Sequence, residues 1–304
     1  HWQRKIAALD PETDFEQIMQ IVSYYEFPWD IQQSLSFALF RTYAVPTIGQ
    51  LLYDTGEFTT DTQKRHDDTA LVLESVLVDG MESSKGRAAV RRMNQMHGSY
   101  DISNDDMRYV LATFVVIPVR WNRDYGWRNV TTAELTATVA YYQRLGRLMG
   151  IKDIPADFET FEQLLDSYEA EHFVYDEKSR AVADATLKLL VSFYPRALRR
   201  PVDVFSRALM DDPLREAFRF RKPPRPAIWL ARGGLRARAR LVRFMPARRK
   251  PVHANDLKRI KSYPGGFMVE KLGTFPVGMP TTPADAVRGG TETSVEPSRT
   301  GTNA

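Results

Sequence analysis

At 304 residues, 43 % of them hydrophobic and 26 % charged, the chain can form one large domain or two small ones and has the composition of an ordinary soluble protein. It contains no cysteine, which excludes disulfides, thiolate–zinc sites, iron–sulfur clusters, thiolate-ligated haem and covalent c-type haem, and makes a reducing cytosol the expected compartment. The net charge of +4 conceals an asymmetry: Arg196 to Lys261 holds 20 Lys and Arg against 5 Asp and Glu, so the remainder is acidic and one face is expected to meet an anionic partner.

The start, His1-Trp2-Gln3-Arg4-Lys5, carries neither a signal-peptide h-region nor an initiator Met, as expected of a trimmed chain. No apolar run approaches the roughly 20 residues that span a bilayer. Helical periodicity dominates from here on. Short amphipathic segments are predicted over 14–22 and 30–43, the second ended by Val45-Pro46 because proline disfavours helix at the residue before it. A third helix is predicted over 62–78, with Arg65, Thr69, Val72 and Val76 on one stripe and Gly80 as its stop. A fourth, over 87–97, places Val90, Met93 and His97 on one face, with Gly98 as terminator.

Ser103-Asn104-Asp105-Asp106 reads as a capping box that opens an apolar helix, bent or ended near Pro118. Thr131-Thr132-Ala133-Glu134 is a second capping box, and in the helix it opens Gly146 permits close approach of a neighbour. Further helices are predicted over 160–175 and 177–193. After Tyr194-Pro195 proline and arginine dominate, helices are expected to be short, and Pro223-Pro224-Arg225-Pro226 reads as a stiff extended connector. The Gly, Thr, Pro and Ser of 276–304 predict a disordered tail. The fold class is therefore all-α: a single helical domain over 1–195, a basic Pro/Arg-rich extension over 196–275 packing on it, and the tail.

Among the five histidines, His97 stands out because it sits on the apolar stripe of its helix. A neutral imidazole there can offer Nε2 to iron while Nδ1–H bonds a carbonyl one turn earlier; a core histidine satisfied by hydrogen bonds is the other reading. An arginine on an inward face, as Arg65 is with Thr69 one turn on, is costly unless it meets an anion: a cofactor's carboxylate, or an internal acid such as Asp67 or Asp68. Glu169 and His172 match the E-x-x-H pattern of di-iron bundles, but no other histidine has a glutamate three residues before it, so a surface helix is expected. Metalloprotease, Walker A, dinucleotide-binding and nucleophile-elbow motifs are absent.

The stretch 228–250 interleaves arginine with Trp229, Leu230, Leu235, Leu241 and Phe244. That composition suits an element lying in an anionic headgroup layer. A solvated basic surface against the acidic remainder is the alternative, and nucleic acid is not expected because no nucleic-acid-binding signature accompanies the charge.

Several separated motifs resemble the MpaB and latex-clearing (rubber oxygenase) family, its MpaB branch above all. They are Phe27-Pro28-Trp29, Leu39-Phe40-Arg41-Thr42-Tyr43-Ala44-Val45-Pro46, Arg65-x-x-x-Thr69, Arg92-Met93-Asn94-Gln95-Met96-His97 with Ile102-Ser103-Asn104-Asp105-Asp106, Tyr125-Gly126-Trp127-Arg128, and Met149-Gly150-Ile151-Lys152-Asp153-Ile154-Pro155. The resemblance implies a globin-like core holding a non-covalent haem b. It implies His97 as the iron ligand, with Arg65 and Thr69 beside the haem supporting binding or activity. It further implies dioxygen-dependent cleavage of carbon–carbon double bonds in an isoprenoid or similar unsaturated lipid. Asp68 stands where the latex-clearing branch has a lysine able to cap the iron, so no distal group is assigned. Combined with the basic segment, the expectation is a cytoplasmic enzyme peripheral to a membrane; a haem carrier or sensor, or a haem-free lipid- or protein-binding module, are the rivals.

Overall fold

The computed structural model describes residues 1–273, and the tail expected over 276–304 lies outside the described residues. Among the described residues every regular element is helical. Short helices α1 (Trp2–Ile6) and α2 (Phe15–Ile21) lead through a π-helical turn (Val22–Glu26) into α3 (Pro28–Thr42), followed by α4 (Pro46–Asp54) and the single turn α5 (Glu57–Thr60). The long helices follow: α6 (Thr62–Asp79), α7 (Ser84–Gly98), α8 (Asn104–Tyr125), α9 (Thr132–Leu148), α10 (Phe158–His172) and α11 (Glu177–Ser192). The basic third contributes α12 (Arg199–Leu209), α13 (Asp212–Ala217) and α14 (Arg225–Arg243), then an irregular segment.

Local chemistry sets most of these boundaries. Proline opens α3, α4, α13 and α14, where its missing N–H costs nothing. Side chains of Asp61, Ser83, Ser103, Asp157 and Asp176 accept a backbone N–H in the first turn of the helices they precede. Thr131 and Glu134 form the full reciprocal box. At Ser103 only half of it forms, because the Asp106 carboxylate instead accepts from the hydroxyls of Ser103, Thr47 (2.9 Å) and Tyr168 (2.9 Å). Gly80 ends α6 at φ +78°, a conformation that side chains rarely adopt.

α8 is the central helix, packed by α3, α10 and α9 and buried along much of its length. It does not end near Pro118 but runs seven residues beyond it. Trp121 and Tyr125, which lie past the proline, are held in an aromatic cluster with Phe37 and Trp29, so tertiary packing keeps that last stretch helical. Gly146 is needed for the approach of its neighbours: a Cβ there would lie 2.8 Å from Leu111 Cδ2 and 2.8 Å from Ile154 Cδ1.

The basic third departs from expectation in two ways. α14 is nineteen residues long, and the extended connector shrinks to the residues before Arg225 because Pro226 is absorbed into its first turn. Leu235 of α14 and Phe205 and Leu209 of α12 join the Trp121–Tyr125 cluster, so these helices share apolar contacts with α8. Among the described residues no helix is long and apolar enough to cross a membrane.

Candidate functional site

One face of α6 borders an internal cavity of about 190 Å³ that runs beside it from Thr62 to Leu77, about 22 Å of helix. Leu35 and Leu39 of α3, Phe114 of α8 and Tyr141, Tyr142 and Leu145 of α9 make its far wall apolar. Arg65 and Thr69 line it. They are tied to each other: a guanidinium N–H of Arg65 donates to Thr69 Oγ1, and the same hydroxyl donates to the Arg65 carbonyl at 3.0 Å. The guanidinium also lies 5.1 Å from the centre of the Phe58 ring.

Arg65 is not neutralised by the acids beside it in sequence. Asp67 accepts from Gln63 (2.8 Å), His66, the backbone N–H groups of Lys261 (2.9 Å) and Ser262 (3.0 Å), and the Ser262 hydroxyl. Asp68 takes Lys64 (2.7 Å), the Tyr263 hydroxyl and the Gly273 N–H. Among the described residues Arg65 makes no ion pair, so the internal salt bridge is not the explanation for its inward position.

His97 lies in the last turn of α7, which packs along α6. Burial, and secondarily the charge of Arg65, push its imidazole down to about 4, so the ring is neutral at neutral pH. Its Nδ1 is buried; the Met93 carbonyl one turn earlier favours a proton there, but the geometry does not complete a hydrogen bond. The fully satisfied core histidine is therefore not what is found. Arg65 stands between the two parts of the site: it acts on His97 and borders the cavity, whereas His97 itself is not part of the cavity wall.

Further groups of the cavity wall lie outside the Arg65–Thr69 stripe. His66 lines the cavity, and its Nδ1 lies 3.1 Å from Asp67 Oδ1. A helical projection of 62–78 places it on the flank of the Arg65–Thr69 stripe, a signal that was available. Tyr24, Glu74 and Arg259 also line the cavity. Glu74 accepts the N–H groups of Ala254 (2.6 Å) and Asn255 (3.0 Å), and burial pushes its carboxyl up. Tyr24 and Arg259 come from a π-helical turn and an irregular segment, where periodicity has nothing to register.

Of the Glu169–His172 pair, Glu169 turns inward rather than onto the solvent face of α10, and His172 is half-buried. Among the described residues no cluster of metal-ligating side chains occurs. Glu169 is buried; it pairs in a bidentate manner with Arg41 and accepts from the Tyr109 hydroxyl at 3.1 Å. His172 stacks on Tyr168 at 4.0 Å between ring centres. An inward arginine on α3 required a buried carboxylate, and α10 supplies it.

α14 presents the basic segment in ordered stripes. Ala231, Leu235 and Ala239 are buried against the domain. Leu230, Ala237, Leu241 and Phe244 form an exposed apolar stripe at spacings of seven, four and three. Trp229, Arg236, Arg240 and Arg243 repeat the same spacings one residue earlier and are exposed beside it. Trp229 is 77 % exposed and Phe244 85 %. Arg238 is the exception: it turns inward, 2.9 Å from Asp30 and 3.8 Å from the centre of the Trp29 ring.

Residues 32–244 match the family model described as the catalytic domain of ER-bound oxygenase mpaB/B′ and rubber oxygenase. Over 225 residues the chain is 32 % identical to ER-bound oxygenase mpaB′ of Penicillium brevicompactum, covering 68 % of this chain and 53 % of that protein. It is 33 % identical over 229 residues to ER-bound oxygenase mpaB of the same organism, covering 69 % and 58 %. It is 30 % identical over 234 residues to ER-bound oxygenase mpaB of Penicillium roqueforti (strain FM164), covering 71 % and 78 %. The chain thus spans somewhat more than half the length of the two Penicillium brevicompactum proteins. Arg65, Thr69 and His97 all fall inside the matched residues, and the chain belongs to the mpaB/rubber oxygenase catalytic-domain family.

Proposed function

We propose that the chain is a haem-dependent oxygenase that oxidises an isoprenoid or similar unsaturated lipid, cleaving a carbon–carbon double bond with dioxygen, at a membrane surface. The observation that carries this reading is Arg65: a guanidinium without an acidic partner, placed between a neutral, half-buried histidine and a long, largely apolar cavity. Family membership supports the oxygenase class.

The donor set fits a non-covalent haem b. A neutral imidazole is the form that can give a lone pair to iron, and His97 is held in that form. Arg65 would meet a propionate, with Thr69 fixing the guanidinium's orientation. Bound haem would supply the dioxygen chemistry. The protein's own contribution is a cavity of largely apolar lining whose 22 Å course along α6 suits an extended chain rather than a compact ligand. Substrates of that kind reside in membranes, and the exposed stripes of α14 provide a surface for an anionic bilayer.

The visible absorption spectrum of the protein reconstituted with haem, beside that of His97→Ala, tests the reading. A Soret band that is lost or shifted in the variant supports it, and oxygen uptake with polyprenyl and polyunsaturated lipids then tests the reaction. A wild-type protein that is folded yet takes up no haem overturns it.

A further inference from the structure

Arg65 is not alone in the cavity. Arg259, from the irregular segment after α14, also lines it. Its position is anchored through the backbone, where Gln63 Nε2 of α6 donates to the Arg259 carbonyl at 2.9 Å, two residues from Arg65. Its Nε is buried and donates to nothing, and burial pulls the guanidinium below the usual arginine range, with Tyr194 and Asp67 opposing. Asp67 acts at a distance only, since its oxygens are engaged by Gln63, His66, Lys261 and Ser262. Among the described residues neither Arg65 nor Arg259 has an ion-pair partner.

The cavity's charge is therefore one-sided. Glu74, the acid that lines it, lies nine residues from Arg65, about 13 Å along the helix, and is occupied by the N–H groups of Ala254 and Asn255. Buried guanidinium groups are tolerated when an anion completes them, and a planar guanidinium matches a carboxylate with two parallel N–H donors. Two such groups on the wall of one largely apolar cavity, with the Arg259 backbone tied two residues from Arg65, call for an amphiphile with carboxylates near them and hydrocarbon along the rest.

We propose that Arg65 and Arg259 together form a two-guanidinium clamp for the carboxylates of the cavity's ligand, the two propionates of haem being the occupant that fits both arms. The clamp is half built from outside the family-matched residues, because Arg259 lies beyond the match at 32–244. Haem as the occupant rests on the function proposed above; the need for carboxylate does not. A carboxylated substrate is the other source of the same chemistry.

The test uses the full chain, with Arg259→Gln to remove the charge and Arg259→Lys to restore it. The probes are haem b and haem dimethyl ester, which has the same iron and macrocycle but no carboxylates. The rate of transfer to excess apomyoglobin, read at the Soret band, measures loss from the protein. Arg259→Gln is expected to release haem b roughly tenfold faster or more, the scale of one charge-assisted hydrogen bond. Arg259→Lys is expected to recover part of that, and the dimethyl ester to be insensitive to both variants. Equal acceleration for both porphyrins means a structural role and overturns the clamp, as does no acceleration for haem b when carboxylated chains are equally indifferent. If the protein takes up neither porphyrin, oleate and oleyl alcohol replace them in calorimetric titrations. A preference for oleate that Arg259→Gln abolishes keeps the clamp and moves its occupant to the substrate, while no preference overturns it. Thermal unfolding of each variant separates these results from misfolding.

Discussion

His97 is held neutral at a pKa of about 4, below the ordinary histidine value of 6.5, by burial first and by the charge of Arg65 second. Between those two values the unfolded chain binds a proton that the folded chain refuses. The contribution to stability is therefore fully present above about pH 6.5 and is lost as pH falls toward 4, by on the order of 3 kcal/mol. The thermal midpoint of the ligand-free protein should fall across that window, and the fall should shrink in His97→Phe; a wild-type profile matching that of the variant would show the imidazole to be freely solvated. Glu169 makes a different demand. Its bidentate pair with Arg41 is buried with Tyr109, so Glu169→Gln leaves the guanidinium with only the half-exposed Asp211 as an acidic partner and should cost about 2 kcal/mol in urea unfolding. Adding Arg41→Met should recover part of that loss. If Glu169→Gln instead lowered bound metal without affecting stability, the E-x-x-H motif would be a ligand set after all. These two residues also mark what sequence could show of the site. The stripe position of His97 was legible because a helix repeats every 3.6 residues, whereas Glu169's partner is 128 residues away and no local pattern encodes it.

Helices whose ends are fixed by their own side chains were legible in the same way. The Thr131–Glu134 box, the Gly80 stop and the close approach at Gly146 are all local or nearly so. The helix does not end at Pro118 because the aromatic cluster past it outweighs the lost backbone bond, a tertiary effect that the residues around it do not announce. In α14 composition alone shows the basic and apolar character, but the stripes, and the inward turn of Arg238, need the axis of a nineteen-residue helix. Those stripes lead to a measurable expectation. Vesicles rich in phosphatidylserine should shift Trp229 emission to the blue, and phosphatidylcholine vesicles should do so far less. Joint replacement of Arg236, Arg240 and Arg243 by Gln should weaken binding by about 1 kcal/mol per charge, and raised salt should weaken it in the wild type. Binding that is indifferent to lipid charge and salt would take the arginines out of the contact, and no binding to either vesicle would assign the face to something other than a bilayer.

At the scale of the whole molecule, the family match ends at residue 244 while the cavity does not. Val252, Ala254 and Arg259 complete its wall, and backbone N–H groups between 254 and 273 bond three acids of α6: Asp67, Asp68 and Glu74. Periodicity could not reveal this, since the segment is irregular and its bonds are made by the backbone, whose donors are the same whatever the sequence. The consequence is that the chain after α14 is a structural part of the site rather than an appendage. Truncation after Met245 would leave Asp67 and Asp68, buried on α6, without the donors they now share with that segment, at about 1–3 kcal/mol for each unmet group. It would also open the apolar cavity to water. The truncated protein should therefore unfold at markedly lower urea concentration and bind 8-anilinonaphthalene-1-sulfonate where the full chain does not. Should it instead keep the full chain's urea midpoint and remain dark to the dye, the matched residues would close their own cavity, and the segment's contacts with α6 would be incidental to it.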